Sequence, residues 1–384
     1  MDTANATGRR SFLKKSVLAG AAVTSGTKLA FAAQGFERKS PSSNELIKVG
    51  ILTTQGGHIN SIWGPLLNPT GDKTRVTGMV MTHAWDIDAD NLDTFAKKYD
   101  VRKVQHYYDM IDKVDGIIMA DFASMFWNQD LVRPYLEAGV PIFINRPFAS
   151  SLANARDMIE TARKHNTPIM CGSSLEYVQA VDTIRSSIPE LGAITGFLAD
   201  NAMSDYATHG IHGIYFVYAC MGGGVKTVSY QAEDWTRPNG VMTFQYAGRD
   251  GAPDFYGSLL QPYRSGSAWI KVYGRGSTKR KDGYANDVTV ERQMDWPREG
   301  RGPVVDSAIW LPMLHAMQRM FETHEMPEPY ESIYEKTQMF IGGFYSHMEL
   351  DGAPVKLDDI PLNWECPRDR RPMDAHHYPE GFFK

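Results

Sequence analysis

The chain has 384 residues, a net charge of -5, 22% charged residues and 42% hydrophobic residues. That length buries a full core and predicts two domains. The slightly acidic charge, with no basic stripe along any long segment, argues against a nucleic-acid binder. Three cysteines are too few for a disulfide scaffold, and with no C-x-x-C present there is no candidate cysteine metal site.

In chain order, the first segment is "GRRSFLKKSVLAGAAVTSGTKLAFAAQG". It carries Arg9-Arg10 before Ser11-Phe12-Leu13-Lys14, then a modest apolar run, then Ala30-Phe31-Ala32 as an A-x-A cleavage site. The run is interrupted by Lys28 and falls short of the ~20 residues a membrane span needs. Residues 1–33 are therefore predicted to be a removable twin-arginine export signal. The mature protein is expected in the periplasm without membrane insertion. Residues 34–45 are polar and rich in turn formers, a linker.

The fold is expected to open at "KVGILTTQGGHINSI", where a buried strand enters a glycine-containing turn and a helix follows. A dinucleotide fingerprint G-x-G-x-x-G belongs in that position. Its three glycine slots read Thr53, Gln55 and His58, with Gly56 and Gly57 between them. A glutamine side chain in the second slot obstructs the approach of a pyrophosphate to the backbone. Two readings stay open. In one, Gln55, Gly56, Gly57 and His58 form a rebuilt loop whose amides and following helix hold NAD(P), with Asp86 placed to bind a ribose hydroxyl. In the other, the nucleotide site is lost and no cofactor is used.

Strand patterns follow at 76–82, 114–120, 140–147 and 168–172. Helices are predicted from 91 to 99, from 128 until Gly139 stops it, and over 150–165 with Ser150 or Ser151 as cap. Buried strands separated by amphipathic helices predict a parallel sheet covered on both faces. After Glu176 the pattern changes. Strands are expected at 193–200, 224–232, 239–248, 255–263, 267–274 and 287–295, with helices near 209–221, 309–323 and 332–349. The prediction is an α/β chain: a Rossmann-like parallel-sheet domain over 46–175, then an α+β domain over 176–384 on a mostly antiparallel open sheet.

Four strings in this order resemble the glucose–fructose oxidoreductase/inositol dehydrogenase/rhizopine-catabolism (Gfo/Idh/MocA) family, over residues 47–357. They are "DNLDTFAKKYDV", "YLEAGVPIFINRPFASSLANARDMIETARKHN", "THGIHGIYFVYACMGGG" and "KTQMFIGGFYSHMELDGAPVKL". The resemblance implies NAD- or NADP-dependent oxidation or reduction of a sugar or cyclitol hydroxyl, with the substrate between two domains and self-association through the exposed sheet. The sequence departs from the family at its chemistry. The E-K-P motif becomes Asn145-Arg146-Pro147, and an arginine stays charged where lysine relays a proton. Against the D-x-G-x-H…D helix, Thr208 is aligned with the aspartate, His212 with the histidine and Tyr215 with the second aspartate.

Retained histidines beside missing redox residues lead to the expected function. It is a redox-neutral dehydratase or lyase acting on an acidic sugar, such as a uronate, by proton abstraction and elimination. Arg146 is expected to grip the substrate carboxylate through two parallel hydrogen bonds. His212 is expected as the base, aided by His209 or Tyr177, with Glu176 as an acid or second base; no metal site is identified. A nicotinamide-dependent sugar oxidoreductase and a non-catalytic sugar-binding protein are the alternatives. Structural readings stand beside these roles: His212 capping a polar core pocket, Arg146 in a strand-end ion pair, Glu176 as its partner. The tail "WECPRDRRPMDAHHYPEGFFK" is read as a frayed end, with wrapping of a neighbouring subunit or a cleft rim as alternatives.

Overall fold

The computed structural model describes residues 45–68, 71, 73–121, 125–201, 205–262, 268–275, 288–294, 307–368, 378 and 382–383, with backbone only at 288–294 and 307–308. The export signal, the linker and His376-His377 lie outside the described residues. None of the described helices is long and apolar enough to cross a membrane.

The first domain is a six-stranded sheet. Its strands are β1 (Ile47–Leu52), β2 (Met79–Trp85), β3 (Arg102–Lys103), β4 (Gly116–Met119), β5 (Ile142–Asn145) and β6 (Ile169–Gly172), in the order β3-β2-β1-β4-β5-β6. Every pairing is parallel. β4, β5 and β6 are buried at every position, as strands covered on both faces must be. The order reverses between β1 and β4, which makes their carboxyl ends the crevice where such sheets bind ligands.

After β1 the chain makes a π-helical turn, His58–Trp63, that runs into α1 (Gly64–Leu67). The crossovers that follow are α2 (Ala89–Tyr99), α3 (Asn128–Glu137) and α4 (Leu152–Lys164). Asp88 and Ser151 accept the Asn91 and Asn154 N–H groups as side-chain caps of α2 and α4, as short polar residues do at helix starts. β2 begins at Met79 rather than Val76, because the Val76 N–H is already committed to the Leu66 carbonyl.

The second domain contains α5 (Gln179–Leu191), β7 (Ile194–Asn201), α6 (Ile211–Met221), β8 (Val225–Gln231), β9 (Gly240–Tyr246), β10 (Phe255–Gln261), β11 (Ala268–Gly274), β12 (Val288–Met294), α7 (Ser307–Thr323), α8 (Tyr330–Glu349) and β13 (Val355–Lys356). The sheet order is β12-β11-β7-β10-β9-β8-β13. It is antiparallel except where β7 and β10 run together, a pairing that neighbouring strand signals along the chain do not reveal. Helix α5 also went unforeseen. β9 alternates buried and half-buried residues, the period-two pattern of a sheet with one covered face.

α8 ties the domains together. Its Ile333 joins the core of the parallel domain, and its Phe340 stacks on Tyr206 at 5.6 Å. Glycine is needed at 343, because a Cβ there would lie 2.0 Å from the Tyr206 hydroxyl. Cys171, Cys220 and Cys366 are all buried free thiols.

Candidate active site

The loop after β1 keeps the backbone of a fingerprint without its residues. Thr53, in the first slot, has φ 69°, a left-handed conformation that costs a β-branched residue about 1–3 kcal/mol. It is held there from both sides: its N–H donates to the Trp85 carbonyl at 2.9 Å, and its hydroxyl accepts the Asp121 N–H at 3.1 Å. The Thr54 N–H, the Thr54 hydroxyl and the Gln55 N–H all donate to Asp86 Oδ2, at 2.6, 2.8 and 3.0 Å. The Asp88 N–H takes Oδ1 at 2.9 Å. Asp86 thus fastens the loop to the end of β2, with both carboxylate oxygens engaged by the protein. Gly56 passes Asp121 at φ 112°, and Gly57 is exposed.

Arg146, at the end of β5, is 3% exposed and forms the centre of the site. Its Nη1 donates to Asn145 Oδ1 at 2.7 Å and to His58 Nδ1 at 3.2 Å. Its Nη2 donates to His212 Nε2 at 2.8 Å and to the Thr208 carbonyl at 3.4 Å. All four terminal N–H groups of the guanidinium therefore point at protein acceptors. Two-point capture of a substrate carboxylate is not available in this arrangement, which corrects that expected role. Burial pulls the guanidinium down to about 10 against the attraction of Tyr215, Cys171, Asp205 and Asp121, so it stays charged at neutral pH.

An arginine can only donate, so it fixes the tautomers of the imidazoles it touches. His212 accepts at Nε2 and therefore carries its proton on Nδ1, which it donates to Ser173 Oγ at 2.5 Å. Burial, then the charge of Arg146, hold this imidazole well below the ordinary histidine range. With both nitrogens engaged and 6% of the residue exposed, His212 is poorly placed to act as the expected base. His58 accepts at Nδ1 from Arg146 and from Asn145 Nδ2 at 3.1 Å. Its ring packs against both Trp63 and Trp310, each 5.0 Å away.

His209 is placed differently. Its side chain is 47% exposed, and its Nδ1 donates to Asp205 Oδ2 at 2.9 Å. Asp205 precedes a π-helical turn, Tyr206–Gly210, that leads into α6; it accepts the Thr208 N–H and hydroxyl, both at 2.6 Å. Burial opposes the charge on Asp205, but these hydrogen bonds from His209 and Thr208 hold its carboxyl below the ordinary range. A carboxylate fixing Nδ1–H directs the lone pair to Nε2, the arrangement of an oriented general base. The His209 and His212 rings are 6.5 Å apart.

Glu176 and Tyr177 stand behind this cluster. Glu176 Oε2 accepts the Ser173 N–H at 2.8 Å, and Oε1 accepts Lys336 Nζ at 2.6 Å. Its partner is therefore Lys336 of α8 and not Arg146. Burial opposes the charge on Lys336, but Glu176 and Glu328 outweigh it and raise its pKa further. Tyr177 packs on the core with its hydroxyl pushed well up by burial, which suits neither acid nor base duty at neutral pH. Among the described residues no three His, Cys, Asp or Glu side chains gather as a metal site.

Residues 57–173 match the family model described as the oxidoreductase family with an NAD-binding Rossmann fold, GFO_IDH_MocA. Over those residues the chain is similar to the Gfo/Idh/MocA family. It is 21% identical over 223 residues to an uncharacterized protein of Saccharomyces cerevisiae, YMR315W, a match covering 49% of this chain and 62% of the yeast protein. The aligned region thus spans under two thirds of that relative. A probable dehydrogenase from Thermotoga maritima superposes with a TM-score of 0.62 at 15% identity, over 82% of this chain and 100% of its own. A scyllo-inositol dehydrogenase from Lactobacillus casei, solved with NAD(H) and scyllo-inositol, gives 0.62 at 12% identity, over 82% and 100%. At such identities the likeness concerns the fold.

A second Asp–His pair with the D-x-G-x-H spacing, Asp205 and His209, lies three residues before Thr208 and His212. Asp205 and His209 are hydrogen-bonded to each other, whereas Thr208 and His212 each bond elsewhere. An Asp–His spacing of four on a helix start was the available signal. Asn145 and Ser173, which position His58 and His212, carried none.

The fit of a dinucleotide can be tested on the crevice itself. Asp86 is occupied by loop amides, Gln55 fills the second slot, and Tyr378 lies stacked on Trp85 at 6.5 Å beside it. The residues present do not fit the group in this arrangement.

Proposed function

We propose that this chain is an enzyme that removes a proton from a carbohydrate, with His209 as general base, in a redox-neutral elimination on an acidic sugar such as a uronate. The observation that carries this reading is the half-exposed His209 imidazole held by Asp205 at 2.9 Å. His209 Nε2 takes the proton from the carbon next to the substrate carboxylate. The electron pair left behind forms the new double bond as the β-substituent departs with its bonding pair. Arg146 contributes as a buried permanent charge behind the base, whose field favours the negative charge that develops on the carboxylate side. It acts through His58 and His212 and not by gripping the substrate.

The test is ultraviolet absorbance with uronate-containing oligosaccharides and no added cofactor. The conjugated product should accumulate. A protein that binds these sugars without forming any product would abolish the catalytic reading. Dinucleotide-dependent oxidation of a sugar hydroxyl is the second reading, favoured by the family match over 57–173. Denaturing purified protein and weighing what is released separates the two, because stoichiometric NAD(P) would move the assignment to oxidation.

We also propose export through the twin-arginine route, on the strength of Arg9-Arg10 and Ala30-Phe31-Ala32. Replacing both arginines with lysine should leave precursor in the cytoplasm, and undiminished export would remove this assignment.

A further inference from the structure

Tyr378, Phe382 and Phe383 lie on the carboxyl side of the parallel sheet, over residues that follow or end β2 and follow β4. Tyr378 is buried, 7% exposed, against residues that end β2 and follow β4 on the carboxyl side of the sheet. It stacks on Trp85, the last residue of β2, with centroids 6.5 Å apart and planes at 15°. It also meets Trp127, at the start of α3, at 5.0 Å. Burial, then the charges of Asp86 and Asp121, push its hydroxyl well up. Those two carboxylates follow β2 and β4. Phe382 covers Trp85 at 6.1 Å and Tyr107 at 6.0 Å, and Phe383 lies on Trp127 at 5.9 Å.

We propose that the C-terminal segment bearing Tyr378, Phe382 and Phe383 is the resident occupant of the dinucleotide crevice. Tyr378 sits as a flat ring where a nucleotide base would stack. Three features support the assignment independently. Trp85 and Trp127 offer the aromatic faces on which either a base or a tyrosine can lie. Asp86, the residue best placed to receive a ribose, is turned inward to the Thr54 and Gln55 amides. The tail brings no phosphate, so the loop needs no glycine in the second slot, which accounts for Gln55. A dinucleotide can then bind only in the fraction of molecules whose tail has left, and its apparent affinity falls by that fraction. This inference does not depend on the elimination chemistry: the tail can hold the crevice whatever reaction His209 serves.

The experiment starts from a Gln55→Gly parent, which clears the second slot, replaces Tyr378, Phe382 and Phe383 by serine in that full chain, and titrates NAD, NADP and ADP-ribose against parent and variant by calorimetry. The variant should bind at least one of them ~100-fold or more tightly than the parent does. Equal affinities, or no binding by the folded variant, would overturn the proposal. Hydroxyl-radical footprinting of the unaltered chain gives a second measurement that needs no variant to fold. Tyr378 should oxidise as slowly as buried Tyr135. A rate near that of Tyr256, which is 64% exposed, would show that the tail does not occupy the crevice.

Discussion

The carboxyl edge of the parallel sheet and the entry to α6 both bear on Arg146, yet they use their polar groups in opposite ways. At the sheet edge two polar side chains turn inward: Asp86 binds the loop amides, and Asn145 joins Ala120, His58 and Arg146. Aromatic rings close over what remains. At the α6 entry the same resources hold one imidazole toward the outside. Asp205 is buried and satisfied, and its effect is to orient His209, whose ring is half exposed. Internal satisfaction closes a site when it consumes the groups a ligand needs. It opens one when it orients a single group that stays accessible. His209 and His212 show both outcomes three residues apart.

The sharpest way to break this contrast is to remove His209. His209→Gln should lower kcat by about 10²–10⁴-fold, the range for a positioned base, with KM and thermal stability near the parent's. Activity within a few-fold of the parent would end the assignment of His209 as base. His212→Gln should do the reverse and lower stability first. Lys336→Met tests the joint where α8 meets the end of β6, whose Cys171 carbonyl also accepts Lys336 Nζ at 3.3 Å. It strands Glu176 and Glu328 without their shared cation, at a cost of about 3–5 kcal/mol. Urea denaturation reads this, and an unchanged midpoint would mean the ion pair does not hold this joint.

Much of the fold was legible because periodicity follows from burial. Strands buried on both faces and strands alternating across one covered face give different patterns, and the change near Glu176 falls between the last strand of the first sheet and the first strand of the second. The pairing of β7 with β10 was not legible, because β8 and β9 intervene between two strands that meet only in space. Within the site, Arg146 stood out as a cation in a family position, but its role depends on where its four N–H groups end. Those ends lie on His58, Asn145, Thr208 and His212, up to 88 residues away in sequence. The tail was read as frayed because its composition is polar. Nothing local announces that Tyr378 will meet Trp85.

A smaller effect should appear as pH falls. The folded-state pKa values of His58 and His212 are both depressed from 6.5, chiefly by burial and then by Arg146. The unfolded chain therefore takes up protons near 6.5 that the native state refuses. The resulting stability is complete above that pH and is lost as pH drops below it. The slope approaches ~1.4 kcal/mol per pH unit for each histidine until its folded pKa is reached. Denaturation midpoints at pH 7.5 and 5.5 should differ more for the parent than for His212→Asn. Parallel profiles would place the pH sensitivity elsewhere.

The smallest expected change concerns Thr53, where the crevice departs first from a fingerprint. Thr53→Val keeps the branched side chain at φ 69° and removes the acceptor of the buried Asp121 N–H, a loss of about 1–3 kcal/mol. Thr53→Gly loses the same acceptor and adds roughly 0.5–1 kcal/mol of backbone entropy. It also relieves left-handed strain of about 1–3 kcal/mol, so the sum should be a destabilisation of only about 0.5–1 kcal/mol. The two variants differ in whether that strain is released, and comparing their denaturation midpoints measures it. If Thr53→Gly is as destabilised as Thr53→Val, the threonine is not strained. Restoring this glycine should also leave nucleotide affinity unchanged while Tyr378 is in place. The loop conformation is already that of a glycine, and the obstacle lies in the groups that fill the crevice.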